Sequence, residues 1–443
     1  VIRGYEAMEL LTTGWCHLKC SYCYIPKTDK MKQLHIDIIK SIKSKKLIRG
    51  SIKVPGGKRH IGFWGTEPTL TLRLLGEQLA ELKEIHPNLR TISFSTNMLL
   101  DPKIIVEFVV SADRIGVEKV DVQVSIDGPA FITDINRALG ATEKIVMNLH
   151  KFVELLNEND LNLKILLRWK ATLSIQNIQE MNKHPELVHE YFHFFNKLTS
   201  DLKKKNKKEN LEIQNTCGPT LVVPGKYTSS DGKELAKFFK LLAENKYPNT
   251  YVYRALRVFN YRDELYKVRM FTCSGGDSNI GFDGDNIHIC HRSFYLDRDE
   301  YVESVLEMPE YQNWDVSHFK RGSITNIQRN YIVNPNDDMN LARFQHVMRG
   351  YHDFWRMKLA SAYVMIKELA LVGQASKIYL ENDKMAELLA LFVNTALSCP
   401  MENLLNTGSV HVPPISLIRL FGNGAFEIIV EEVKRRAKFS GRK

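Results

Sequence analysis

No uninterrupted apolar run in these 443 residues is long enough to cross a membrane. The first fifteen residues also lack the charged, apolar and small-residue parts of a secretory signal. The expectation is a cytoplasmic chain with no membrane partner. Cysteine is scarce as well: there are seven, an odd number, and three crowd together near the start. That usage argues against a disulfide framework and fits a reducing compartment. There is no internal repeat and no low-complexity tract beyond the run Lys203-Lys204-Lys205-Asn206-Lys207-Lys208, which contains no aromatic residue for stacking on bases. Such a run is by itself a solvated loop, and the basic tail Lys434-Arg435-Arg436-Ala437-Lys438 suits a helix C-terminus equally well. What the chain does have is an excess of 61 basic over 51 acidic residues, a formal charge of +10. The charge favours an acidic partner, RNA or an acidic peptide.

Between Ala7 and Val223, β-rich runs alternate with amphipathic stretches, which argues for parallel strands joined by helices. The strand candidates are Ala7 to Thr13, His60 to Trp64, Thr91 to Ser95, Val120 to Ile126, Leu163 to Thr172 and Leu211 to Val223. Helical periodicity marks Ile36 to Leu47, Leu70 to Ile85, Ile104 to Ser111, Thr142 to Leu156 and Ile178 to Leu198. Six such units make an α/β fold, a partial (βα)6 TIM-like barrel over residues 1–230. Beyond Glu234 come a helix and a Gly/Asp-rich segment, Cys273 to Cys290, with the look of a short hairpin. A second region is therefore expected over 231–335. The turn-rich stretch Asn334-Pro335-Asn336-Asp337-Asp338 then introduces a helical C-terminal extension, 336–443.

Chemistry enters with Cys16, Cys20 and Cys23, spaced CxxxCxxC at the end of the first strand candidate. A loop with this spacing can deliver three thiolates to three corners of a [4Fe-4S] cluster and leave the fourth iron open for a ligand. A zinc site needs a fourth Cys or His at ordinary spacing, and His17 sits between the first two cysteines. Here the chain resembles the radical S-adenosylmethionine (radical SAM) superfamily, whose motif CxxxCxΦC carries an aromatic at Φ, in this chain Tyr22. Gly65-Thr66-Glu67-Pro68 resembles the GGEP motif of that family, with Thr66 in place of its second glycine. Ser125-Ile126-Asp127-Gly128-Pro129, continuing to Asp134-Ile135-Asn136-Arg137, resembles a segment of its peptide-modifying branch.

The resemblance implies that the amino and carboxylate groups of S-adenosyl-L-methionine chelate the open iron, with Tyr22 beside the adenine and Glu67 near the amino group. Ser95 and Asn97 at the third strand end, Ser125 and Asp127 at the fourth, and Arg168 on the fifth complete the expected pocket. Asp134 and Arg137, three apart, suit a helical ion pair as well as a catalytic part. The segment from Cys273 to Cys290 resembles the first half of a SPASM or Twitch extension, which binds auxiliary iron-sulfur clusters, although the second set of closely spaced cysteines is absent. An auxiliary cluster here would draw on Cys217, Cys273, Cys290 and Cys399. His291 stands where sulfatase-maturing relatives carry a proton-accepting acid, and as an imidazole it could take that part or a structural one.

The implied reaction is reductive cleavage of S-adenosylmethionine and removal of a hydrogen atom from a ribosomally made peptide, to form a thioether, a crosslink or an excision. It calls for a low-potential donor of flavodoxin or ferredoxin type. Because only fifteen residues precede Cys16, a separate peptide-recognition protein is also expected. Two alternatives stay open on the sequence: an RNA-modifying radical SAM enzyme, consistent with the charge, and a zinc-stabilised scaffold without activity.

Overall fold

The computed structural model describes residues 4–260 except 24, 26, 219 and 222–226, then 278–291, 294, 332–337, 339–342, 344–345, 355–397 and 415–439. Five strands, β1 (Ala7–Thr13), β2 (His60–Gly65), β3 (Thr91–Thr96), β4 (Lys119–Ser125) and β5 (Lys164–Lys170), run parallel in that order. A short pair, β6 (Thr172–Leu173) and β8 (Thr220–Leu221), forms its own ladder, and β7 (Leu211–Gln214) closes the main sheet beside β5. The expected long strands over Leu163 to Thr172 and Leu211 to Val223 are thus each broken into two. The α/β alternation and the parallel sheet are those expected of a partial barrel.

The connecting helices are α1 (Asp29–Lys43), α2 (Lys46–Gly50), α3 (Leu72–Gly76), α4 (Leu79–Ile85), α5 (Lys103–Arg114), α6 (Ala130–Asn136), α7 (Ala141–Asn157), α8 (Ile175–Lys183) and α9 (Glu186–Lys205). Helix α1 begins seven residues before the periodicity suggests, because the Thr28 hydroxyl accepts the Met31 N–H at 3.3 Å and caps it. The single helix expected over Ile178 to Leu198 is two: α8 opens on a capping box at Ser174 and stops at His184, where Pro185 starts a new helix.

Strands β3 and β4 alternate strictly, whereas β1, β2 and β5 bury consecutive residues. On β4, Val120, Val122 and Val124 are fully buried on one face, while Asp121, Gln123 and Ser125 occupy the other. The second face is polar across the sheet: Gln123 Nε2 donates to Ser95 Oγ at 3.0 Å, Arg168 Nε to Asp121 Oδ1 at 3.0 Å, and His60 Nε2 pairs with Ser93 Oγ at 2.7 Å. A closed TIM barrel fills its interior with apolar layers. This one keeps a polar inner face, which suits a ligand trough.

The hairpin expected within Cys273 to Cys290 is present as β9 (Asn279–Phe282) and β10 (Ile287–His288), paired antiparallel. Its turn is held by Asp283 Oδ1, which accepts the N–H groups of Asp285 and Asn286, and by Gly284 at φ +105°. Strand β9 also joins β1 in parallel, and β11 (Ile332–Val333) pairs with β10, so the sheet has nine strands among the described residues. The remaining helices are α10 (Ser229–Glu244), α11 (Thr250–Asn260), α12 (Trp355–Leu371), α13 (Ile378–Glu381), α14 (Asp383–Phe392), α15 (Ile415–Phe421) and α16 (Ala425–Phe439). Helix α10 packs on α8 from the barrel side and on α15 and α16 from the other, and one apolar core runs through both regions.

Candidate functional site

At the C-terminal ends of the parallel strands lies one cavity of about 1140 Å³. Its walls include Cys16, Cys20 and Cys23 from the β1 loop, Gly65 to Pro68 after β2, Ser95 to Asn97 after β3, Ser125 after β4 and Arg168 on β5. Residues more than a hundred positions apart therefore meet because each terminates a parallel strand, which is the face where such folds gather function.

The cysteine loop is pinned from three sides. The Thr13 hydroxyl donates to the Trp15 carbonyl at 3.0 Å, the Thr66 hydroxyl donates to the same oxygen, and the Ser21 N–H reaches the Asn136 carbonyl at 2.8 Å. Thr66, the departure from the glycine pattern, thus ties the second strand end to the cysteine loop. Gly65 beside it is irreplaceable for a different reason: it sits at φ +144°, and a Cβ there would lie 2.1 Å from the Thr13 carbonyl oxygen.

The sulfurs are half-buried and supplied with donors. The Leu18 N–H and the Asn97 side-chain amide approach Cys16 Sγ at 3.4 and 3.6 Å, and an Arg137 guanidinium nitrogen stands 4.0 Å from Cys20 Sγ. Burial pushes the Cys16 thiol up and the Cys20 thiol up to about 11. Coordination to a cluster would reverse that, since a bound thiol is deprotonated outright. The Lys27 ammonium is buried without a hydrogen-bond partner, 5.5 Å from the Trp15 ring and close enough to Cys16 to favour its thiolate. An orphaned cation beside three thiols fits an anionic cluster. Among the described residues no three His, Cys, Asp or Glu side chains converge tightly enough for a single metal ion.

Glu67 is buried, and burial raises its pKa against the hydrogen bonds it receives. Its Oε1 accepts from the Thr69 hydroxyl at 2.5 Å and its Oε2 from the Asn97 N–H at 2.8 Å, so it stitches the second and third strand ends together at the cavity wall. Asp127 does not line the cavity. Its two oxygens accept from the Tyr22 hydroxyl (2.8 and 3.0 Å), Arg137 Nε and Nη2 (2.8 Å each) and the Thr172 N–H (3.0 Å). The carboxylate expected to hold ribose or substrate is therefore saturated, and it holds Tyr22 and Arg137 instead. Burial and then the Asp127 charge keep the Tyr22 phenol protonated. Burial alone would lower the Arg137 pKa, but the charge and hydrogen bonds of Asp127 overcome it and hold the guanidinium charged. The helical pair of Asp134 with Arg137 does not form: Asp134 instead accepts the Thr142 N–H and hydroxyl and the Gly140 N–H.

His291 is set back from the cavity. Its ring lies tilted against Trp64, which does line the wall, with centroids 3.7 Å and planes 38° apart. Its Nδ1 and its N–H meet Glu9 Oε2 at 2.6 and 3.1 Å. Burial, which would raise the Glu9 pKa, is outweighed by His291, and the carboxyl is held below its usual range. The proposed auxiliary ligands are not drawn together among the described residues. Cys217 lines the cavity just past β7, whereas Cys290 follows β10 near the opposite end of the sheet order. Cys273 and Cys399 lie outside the described residues.

No family model matches the chain, and no curated protein does. Among solved structures, native anSMEcpe with bound AdoMet aligns at 17% identity and a TM-score of 0.39, covering 69% of this chain and 81% of that one. The same protein with AdoMet and the Cp18Cys peptide aligns at 19% and 0.38, covering 70% and 82%. Streptococcus suis SuiB bound to its precursor peptide SuiA aligns at 12% and 0.37, covering 70% and 66%. Likeness at this level carries no weight beside the residues themselves.

Sequence patterns left several cavity residues unmarked. Gln123 on β4 follows from strand alternation once Ser125 is placed on the inner face. Arg254 and Arg257 on α11, and the pair Asn196 and Asn215, had no local signal; only the fold brings them to the cavity.

Proposed function

We propose that the chain holds a [4Fe-4S] cluster on Cys16, Cys20 and Cys23, binds S-adenosylmethionine against it, and modifies a peptide by a radical route. The observation that carries this reading is the convergence of the three cysteines and the strand-end motif residues on one cavity. When bound, the cluster and S-adenosylmethionine supply the reductively generated 5′-deoxyadenosyl radical that removes a substrate hydrogen.

The chain's own groups prepare for that chemistry. Leu18 N–H and Asn97 donate toward Cys16, and Arg137 stands beside Cys20, so the thiolates are met by fixed dipoles and charge rather than water. Tyr22, clamped by Asp127, presents its ring at the cavity wall with the Arg137 guanidinium 5.5 Å from its centre. Ser95, Ser125 and the Asn97 side chain offer neutral polar groups for a ribose and an amino acid end, with Arg168 further along the wall. Trp64, Trp169 and Phe192 give the cavity apolar surface that excludes water from a reactive intermediate. His291 acts through Trp64 as a positioning residue, held by Glu9. A soluble electron donor and a separate recognition protein remain part of the proposal.

The test is anaerobic iron and sulfide content with EPR, on the intact protein and on the variant Cys16→Ala/Cys20→Ala/Cys23→Ala. The reading expects about four irons in the intact protein and none in the variant. A cubane signal surviving in the variant would move the cluster to other ligands; a colourless, zinc-loaded protein would overturn the reading.

A further inference from the structure

A lysine ammonium carries three donors and a full charge, and withdrawing it from water is costly unless acceptors or an anion receive it. Lys27 follows Cys23, the last cysteine of the motif, and directly precedes Thr28, the N-cap of α1. Its Nζ is buried, and among the described residues it has neither a hydrogen-bond partner nor an ion pair. A nearby lysine shows the contrast. Lys32 also stands over the Trp15 ring, at 5.4 Å, but its side chain is 55% exposed and it pairs with Asp29 at 2.9 Å. Lys27 stands 5.5 Å from the same ring with neither solvent nor a carboxylate at its ammonium. An aromatic face attracts a cation but replaces only part of what water gives it.

Trp15 immediately precedes Cys16, and the Lys27 charge is felt there. Burial and the Glu67 carboxyl disfavour the Cys16 thiolate, while the Leu18 N–H and Lys27 favour it. Lys27 does not line the cavity, so it is not placed to touch a ligand within it. At Cys20 the arrangement differs, because the cation beside that sulfur, Arg137 at 4.0 Å, already has Asp127 as its carboxylate. Lys27 is a cation of the cysteine loop whose counter-charge the described residues do not supply.

We propose that Lys27 is the counter-charge for a cluster at its Cys16 corner, uncompensated in the cluster-free chain and set there to make the bound cluster easier to reduce. This inference rests on the cluster reading above and adds a residue that lies outside the cysteine and strand-end motifs. Lys27 acts through Cys16 and not on substrate, which makes it a positioning residue. Reduction adds one electron, taken from the low-potential donor already proposed, and a nearby buried cation lessens the cost of that added charge. Net charge and surroundings are among the factors that set iron-sulfur potentials. The same ammonium weakens the chain that holds no cluster, since it is then a buried charge with nothing opposite. Removing it therefore has two effects of opposite sign, which a purely structural lysine would not give.

The experiment compares the full chain with Lys27→Met and Lys27→Arg, each before and after anaerobic reconstitution. Without iron, Lys27→Met should melt about 2 °C or more above the intact chain. Redox titration of the reconstituted proteins, followed by EPR, should give Lys27→Met a roughly tenfold lower ratio of reduced to oxidised cluster at a fixed potential, a midpoint about 59 mV more negative. Lys27→Arg keeps the charge and should stay within about threefold of the intact protein. Loss of iron from Lys27→Met but not from Lys27→Arg would also support the assignment. A Lys27→Met chain that melts lower without iron or keeps the intact midpoint would overturn it, as would a Lys27→Arg chain that shares its midpoint or its loss of iron. Iron content separates this outcome from the radical reading. An intact chain with about four irons and an unmoved midpoint in Lys27→Met sinks the counter-charge alone. An intact chain that loads no iron sinks the cluster reading and the counter-charge with it.

Discussion

At the scale of single residues, the site is organised by a few side chains whose partners come from distant strands. Asp127 meets Tyr22 from 105 positions away, Thr172 from 45 and Arg137 from ten. Both members of the Asp127–Arg137 pair are buried, with side chains 0% and 7% exposed, so removing one leaves an uncompensated charge. Arg137→Met should cost about 3–5 kcal/mol of stability, and adding Asp127→Asn should restore part of it, measured by denaturant unfolding. Thr66 gives a milder case. Replacing it with glycine removes the hydroxyl that holds the Trp15 carbonyl. Thr66→Gly should fold, and should load less iron than the intact protein under identical reconstitution. Gly65→Ala, with its new Cβ pressed on the Thr13 carbonyl at a positive φ, should lose about 2–3 kcal/mol and most of its soluble yield.

At the scale of elements, the joints between helices and strands carry titratable groups that tie stability to pH. His86 ends α4 and is 4% exposed; its Nε2 pairs with Ser51 Oγ at 2.8 Å. Burial, helped by the nearby Lys58 charge, pulls its pKa from 6.5 to about 4. Between those values the unfolded chain binds the proton and the folded chain does not. The contribution is therefore whole above about pH 6.5 and is lost as pH falls toward 4, on the order of 3 kcal/mol in all. His86→Gln keeps a partner for Ser51 and should flatten that part of the stability curve, read as urea midpoints at several pH values. The elements themselves were largely legible in the sequence. Ala7–Thr13 matches its expected bounds, β2 and β3 run one residue further than expected and β4 shifts by one, because short β-rich runs, with period-two alternation on β3 and β4, mark the strands. The break at Pro185 and the early start of α1 depend on single caps, which periodicity blurs. The parallel addition of β9 to β1 was not legible, since a pairing across some 270 residues leaves no local pattern.

At the scale of the whole molecule, the barrel and the helical extension share one apolar core through α10. The packing is tight at Gly232 on α10, where a Cβ would meet the Arg419 carbonyl oxygen at 2.4 Å and Asn423 Cβ at 2.8 Å. Gly232→Leu should wedge α10 from α15 and split a single thermal transition into two, seen by differential scanning calorimetry. The cysteine motif and the strand-end residues of the cavity were readable from sequence because a parallel fold sends every strand end to one face. Arg254 and Arg257 were not, because α11 reads like any amphipathic helix until the fold brings it to the cavity wall. The proposed function turns on three cysteines that leave one iron open for S-adenosylmethionine. The direct measurement is the EPR spectrum of the dithionite-reduced, reconstituted protein with and without S-adenosylmethionine. The expected result is a cubane signal whose g-values shift when S-adenosylmethionine is added; a signal that the addition leaves unchanged would overturn the proposed site.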